Sequence, residues 1–400
     1  MNLSAGYPLN LIRAGIPYDY ARLQKNCRAD VVIMGGGISG ALVAYYLQKA
    51  GIECMVVDRR TFGLGSTCAS TSLLQYEIDE PLSRLKDKIG LKNAERAYHL
   101  CEAAITEMTD LVKKIGYTDL QSCNSIYFAA GKKDTNFLQQ EFAARKKSGF
   151  DVKWIEESDI KKIYGLNAPA AIVSATGAQT NAYTLTHALH QHAIASNIKL
   201  YDRTPIENIT HTKSGVVLHT ADGYTIRCKK LVYATGYEAV KYINRKIVNL
   251  SVTYATASEQ FDKEDHFPEG NVFWNTADPY LYMRTTEDRR IIVGGRDEPY
   301  TSLKKMNGLV NQKSSLLQKD LMRKFPAVAF KKEFSWAGVF GATKDGLPFI
   351  GNYPELPNSL FALGFGGNGI TFSVIAAQLI RNSLLGRPNP DAALFSFDRV

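Results

Sequence analysis

Three glycines and one aspartate carry the most specific chemistry in this chain: Gly35-x-Gly37-x-x-Gly40, with Asp58 eighteen residues beyond. Glycines at this spacing allow a tight turn and bring backbone N–H groups against a pyrophosphate, and a following helix adds its positive end. The carboxylate can accept hydrogen bonds from a ribose diol. The string alone is weak, because Gly364-x-Gly366-x-x-Gly369 also matches it. Context separates the two. Val31 to Met34 is a short apolar run suited to a buried parallel strand, and Ala41, Leu42, Ala44, Tyr45 and Leu47 then recur at helical spacing. Gly51 stands where that helix would stop, and a second apolar run, Cys54 to Val57, ends in Asp58. Strand, turn, helix, strand and acid together predict a dinucleotide site. The acid favours NAD or FAD over NADP, although Arg59 and Arg60 beside it pull the other way.

Three later segments bear on which dinucleotide this is. Ser66-Thr67-Cys68-Ala69-Ser70-Thr71-Ser72 is a run of small and hydroxylated residues, able to bring backbone and Oγ donors close to phosphate or ribityl oxygens. Leu231-Val-Tyr-Ala234-Thr235-Gly236 reads as a strand stopping in small residues, either beside a nucleotide or simply at a turn. Trp336 to Gly351 and Leu360 to Ile380 predict a strand, a glycine turn and a long helix with no strand and acid after them. That is a helix start aimed at something anionic or electron-accepting, not a second nucleotide fold.

The order of these segments resembles the D-amino-acid-oxidase-like (DAO) family of FAD-dependent oxidoreductases, over nearly the whole chain. The resemblance implies an α/β fold: a Rossmann-type FAD-binding domain with a discontinuous α+β substrate domain built on an antiparallel sheet. It implies cofactor contacts at Gly35, Gly37, Ile38, Ser39, Asp58, Arg59, Ser66, Thr67, Thr71 and Ser72. Further contacts fall on Ile206, Ala234, Thr235, Gly236, Gly366, Gly367, Asn368, Gly369, Ile370 and Thr371. Several positions depart from the family's patterns. Phe340 and Gly367 stand where glycine-oxidase-like members carry arginines for a substrate carboxylate, and Thr371 stands where sarcosine-oxidase-like members carry a lysine. The cysteine that holds flavin covalently near Phe340 or Gly341 is absent, and Cys68 replaces any histidine in the Ser/Thr loop. Non-covalent FAD is therefore expected, and a simple α-amino acid substrate is in doubt.

The nucleotide segments are expected at 1–85, 150–240 and 335–400, and the substrate domain at 86–149 and 241–334. Ala97, Leu100, Cys101, Ala104, Ile105, Met108 and Leu111 keep helix spacing, whereas 245–335 alternates like antiparallel strands. Period two puts Tyr280, Tyr282 and Arg284 on one strand face. The arginine there either binds an anionic substrate group or stacks on the sheet surface. The candidate catalytic set is Arg284, Tyr282, Gln75 and Thr371, with Arg296 a further candidate. His187, His190 and His192 have no carboxylate to complete a metal set and read as surface or packing, so no metal is expected. The serines lack a G-x-S-x-G context, which excludes a hydrolase.

The expected chemistry is hydride transfer from the carbon beside an amine nitrogen to FAD, with oxygen or an unidentified carrier as final acceptor. The alternative within flavoenzymes is a polyol-phosphate dehydrogenase, which the Ser/Thr loop and basic balance would also suit. A flavoprotein without turnover and an NAD(P)H-fed reductase fit less well. With 400 residues, 45% apolar and 22% charged, the chain has ordinary globular composition and excludes a disordered or collagenous protein. The net charge of +9 comes from short Lys/Arg pairs diluted by acids, so no nucleic-acid partner is expected. No eighteen-residue apolar run occurs, so no membrane span is expected. Met1 to Arg13 does not read as a secretory signal, and six scattered cysteines fit isolated thiols, which points to a cytoplasmic protein with a small-molecule substrate.

Overall fold

The computed structural model describes residues 3–262, 267–363 and 366–399; Gly364, part of the second glycine string, and Phe365 lie outside them. Two sheets organise these residues. The first has eight strands and a parallel centre, in the order Phe349–Asn352, Ser359–Leu363, Thr225–Tyr233, Cys27–Met34, Cys54–Val57 and Lys199–Tyr201. A hairpin of Ile206–Thr212 and Gly215–Thr220 joins it through Thr225–Tyr233. Cys27–Met34, the helix Ile38–Lys49 and Cys54–Val57 form the expected strand–helix–strand unit, with Val31 opposite Cys54 and Met34 opposite Val57. That helix is buried at every position from Ile38 to Leu47. It lies between the sheet and two further helices, Ala182–Ala195 and Gly369–Leu384, so it needs apolar residues all round rather than a stripe.

The second sheet has ten strands, running from Ser4–Gly6 through Lys332–Ala342, Asn249–Ser258, Ile291–Pro299, Tyr282–Thr285 and Asn271–Asn275 to Leu120–Phe128, Ala170–Thr180 and Leu73–Gln75, with Val152–Glu156 paired to Ala170–Thr180. It is antiparallel except where Asn271–Asn275 runs parallel to Leu120–Phe128. The helix Leu91–Lys114 buries the expected Ala97, Cys101, Ala104, Ile105, Met108 and Leu111, while Leu100 is only half-buried.

Strands from both sets of expected segments meet in the ten-stranded sheet. Val152–Glu156 and Ala170–Thr180 were expected with the nucleotide segments but pair in the ten-stranded sheet, as do Lys332–Ala342 and Leu73–Gln75. An apolar run such as Ala170–Val173 says only that a strand is buried; its choice of sheet depends on partners far away in sequence. We propose that the division between the two bodies follows sheet membership.

Candidate active site

A continuous cavity of about 380 Å³ runs between the two sheets. At one end it is lined by the glycine turn, Asp58, Arg59, Ile206 and the segment Ala234–Gly236. The Ser/Thr loop lines its middle, and Gln75, Tyr282 and Gly366 to Ile370 line the other end.

The glycine turn is closely packed at each glycine. Gly35 has φ +115°, and a Cβ there would lie 2.2 Å from the Ala234 carbonyl oxygen. A Cβ on Gly37 would lie 2.8 Å from Thr67 Oγ1, and one on Gly40 would lie 1.8 Å from the Gly35 oxygen. Gly40 thus serves the close approach of helix to turn. Gly36, which the motif leaves open, is equally constrained: its Cβ would strike the Phe62 ring. Asp58 fastens the turn, accepting from Gly36 N at 2.7 Å and Arg60 N at 2.8 Å. Thr67 Oγ1 accepts from Ile38 N at 3.1 Å, so the Ser/Thr loop is held against the helix start. No side chain caps that helix, and its remaining first-turn N–H groups, with the helix dipole, are available to a phosphate.

The helix Gly369–Leu384 also lacks a side-chain cap. Asn368 instead ties its start to the chain after the Ser/Thr loop, donating from Nδ2 to the carbonyls of Gln75 at 3.0 Å and Glu77 at 2.7 Å. The hydroxyls of Ser39 and Ser373 are 2.8 Å apart, joining the two helix starts. Thr235 lines the cavity, and its buried Oγ1 has no hydrogen-bond partner.

A model of the family described as FAD dependent oxidoreductase (DAO) matches residues 30–382. The chain belongs to the DAO family. It is 26% identical to the glycine oxidase of Geobacillus kaustophilus over 383 residues, covering 93% of this chain and 97% of that one. The crystal structure of glycine oxidase from that organism superposes with a TM-score of 0.77 at 21% identity, covering 93% and 99% of the two chains. The L-α-glycerophosphate oxidase of Mycoplasma pneumoniae superposes with a TM-score of 0.75 at 13% identity, covering 91% and 97%. The DAO-family fold and its FAD dependence agree with the residues present. A glycine turn in which added Cβ atoms would clash and two uncapped helix starts face one elongated cavity.

Two candidates from the strand and helix patterns fall outside this cavity. Arg284 is 3% exposed and spends its guanidinium on backbone carbonyls: Nε on Thr71 at 2.5 Å, Nη1 on Thr285 at 2.9 Å and Nη2 on Thr180 at 2.8 Å. Burial lowers its pKa to about 10, so it stays charged near neutrality as a clamp on the Ser/Thr loop. Thr371 does not line the cavity; its hydroxyl donates to the Gln75 carbonyl at 3.3 Å. Arg296 pairs with Asp320 at 2.7 and 2.8 Å. His187 and His190 are buried packing, bonded to Tyr20 Oη and the Gly36 carbonyl. Among the described residues, no group of His, Cys, Asp and Glu is placed to hold a metal.

The residues that the motifs did not single out are acidic. Asp79 opens its carboxylate to the cavity, accepting from Gly367 N at 2.7 Å and Tyr280 Oη at 3.1 Å. Asp297 and Glu77 line the same end, together with Trp274, Tyr280, Tyr282 and Thr253. Tyr282 Oη sits 3.0 Å from Thr253 Oγ1. Nothing local in the sequence marked Asp79 or Asp297.

Proposed function

We propose that this DAO-family protein oxidises the C–N bond of a small amine or N-substituted amino acid. The observation that carries the reading is the far end of the cavity. There an uncapped helix start stands beside Gln75 and the rings of Trp274, Tyr280 and Tyr282, with no nucleophile activated by a neighbouring base among the described residues. FAD, bound non-covalently, supplies a two-electron acceptor for the hydride from carbon, while the nitrogen loses a proton and the resulting imine hydrolyses in water.

The chain's own residues position and shield. The first N–H groups of Gly369–Leu384 stabilise negative charge next to them, with the helix dipole behind. Trp274, 7% exposed and held by Nε1 donation to Ser125 Oγ at 3.1 Å, closes one wall against water. Tyr282, fixed by Thr253, and Gln75, fixed by Nε2 donation to Ser125 Oγ at 3.2 Å, orient the substrate. Arg59 takes the nucleotide end, where it pairs with Glu238 at 2.6 Å.

The polyol-phosphate alternative would place a dianion among Asp79, Asp297 and Glu77, and like charges count against it. We place the protein in the cytoplasm, in keeping with six unpaired cysteines; no helix among the described residues is long and apolar enough to cross a membrane. The electron acceptor expected is oxygen or an unidentified carrier. Anaerobic bleaching of the flavin band across amines, N-methyl amino acids and glycerol phosphate tests the reading. Amines are expected to bleach it; bleaching by glycerol phosphate alone would overturn it.

A further inference from the structure

The acidic end of the cavity sets a condition on what can enter it. Asp79 reaches it from the segment after the Ser/Thr loop, and Asp297 from the strand Ile291–Pro299. Asp297 Oδ1 is buried and has no hydrogen-bond partner. Glu77, 3% exposed, satisfies Oε1 with Arg145 at 3.1 Å and Ser174 at 2.8 Å but leaves Oε2 without a partner. The rings of Trp274, Tyr280 and Tyr282 stand in sequence around this space, with centroids 6.2 and 5.7 Å apart. Among the described lining residues, the cationic side chains Arg59, Arg60 and Lys241 all belong to the opposite, nucleotide end.

Unpartnered buried carboxylate oxygens are costly, and electron-rich ring faces attract cations. A ligand carboxylate would meet like charge here, whereas an ammonium would supply a partner to Asp297 and offset the charge of Asp79. We infer that the substrate presents a second, positively charged nitrogen to Asp79 and Asp297 beneath Trp274, Tyr280 and Tyr282, as a diamine or aminoalkylamine does. The inference rests on the C–N oxidation reading and narrows it: one nitrogen reacts and the other is the handle. Burial raises the pKa of both carboxyls, that of Asp297 to about 7 with Asp79 and Asp278 adding to the rise, and a bound cation relieves that penalty.

The test uses the FAD-loaded protein under anaerobic conditions with 1,4-diaminobutane, n-butylamine, glycine and sarcosine. Perturbation of the flavin spectrum reads binding, and bleaching reads turnover. Diaminobutane is expected to bind at least tenfold more tightly than n-butylamine, glycine or sarcosine. Asp297→Asn is expected to cut the preference for diaminobutane over n-butylamine at least tenfold. Asp79→Asn should do the same, but Asp79 also braces Gly367, so its FAD content must be measured alongside. Tighter binding of glycine or sarcosine, absence of diaminobutane binding, or an unchanged preference in Asp297→Asn overturns the inference. If glycine bleaches the flavin while diaminobutane does not bind, C–N oxidation stands and the cationic handle falls. If diaminobutane binds through Asp297 while no amine bleaches the flavin, the handle stands and C–N oxidation falls.

Discussion

The hydroxyls of Ser39 and Ser373, 334 residues apart in sequence, lie 2.8 Å from each other and link the first turns of the two helices that face the cofactor cavity. Ser373 also donates to the Gly369 carbonyl at 2.6 Å, so its proton is spoken for and Ser39 is the donor across the gap. Ser373→Val should leave Ser39 unsatisfied in a buried place and cost about 1–3 kcal/mol of stability. Chemical denaturation checks this, with Ser39→Ala/Ser373→Ala expected to lose less than the sum of its single changes.

The glycine turn separates two kinds of damage. Gly35→Ala puts a methyl against the Ala234 carbonyl in a left-handed conformation, and the fold itself should lose more than about 2 kcal/mol. Gly37 has no positive φ, and its Cβ would meet only the movable Thr67 side chain. Gly37→Val is therefore expected to fold yet emerge colourless, because branched carbons occupy the pyrophosphate approach. Flavin absorbance per mole of purified protein is the measurement; full FAD occupancy in this variant would contradict the assignment.

Arg284→Met should behave as a stability variant. Three carbonyls lose a charged donor, at about 1.5–3 kcal/mol for the first such bond and less for each later one. The melting temperature should drop by several degrees, whereas the relative KM values of two amine substrates should not change. A selective change in KM for one substrate would return Arg284 to the pocket.

Histidine burial gives a pH signature. His187 and His190 are held down to about 4 by burial, against about 6.5 in an unfolded chain. Between those values the unfolded state binds more protons, so this contribution is complete above pH 6.5 and fades as pH falls towards 4. Asp79 and Asp297, raised by burial, act with the opposite sign over an overlapping range. The clean measurement is thus a difference. The stability gap between wild type and His190→Gln should narrow from pH 7.5 to 5, by at most about 1.4 kcal/mol per unit.

What could be read from the sequence was local. The glycine turn, its helix and Asp58 lie within thirty positions, and their spacing alone fixes which atoms meet. The Ser/Thr loop was legible as a lining, but not as a clamp in which Thr67 holds Ile38 N. Arg284 shows the limit of periodicity: Tyr280 precedes the strand Tyr282–Thr285 instead of sharing its face, and the Thr71 and Thr180 carbonyls cover Arg284. Asp79 and Asp297 escaped notice because each is an ordinary acid in its own segment. Only the pairing of distant strands turns them towards one space. The pairing of Val152–Glu156 and Ala170–Thr180 in the ten-stranded sheet depends on distant strands in the same way.

Ser4 pairs with Gly338 at one margin of the ten-stranded sheet, and Asn271–Asn275 pairs with Leu120–Phe128 within it. A ribosome must therefore release well over half of the polypeptide before the second partnership can form, and most of it before the first. Until then, nascent chains expose open strand borders, and their maturation should be slow and dependent on protection from aggregation.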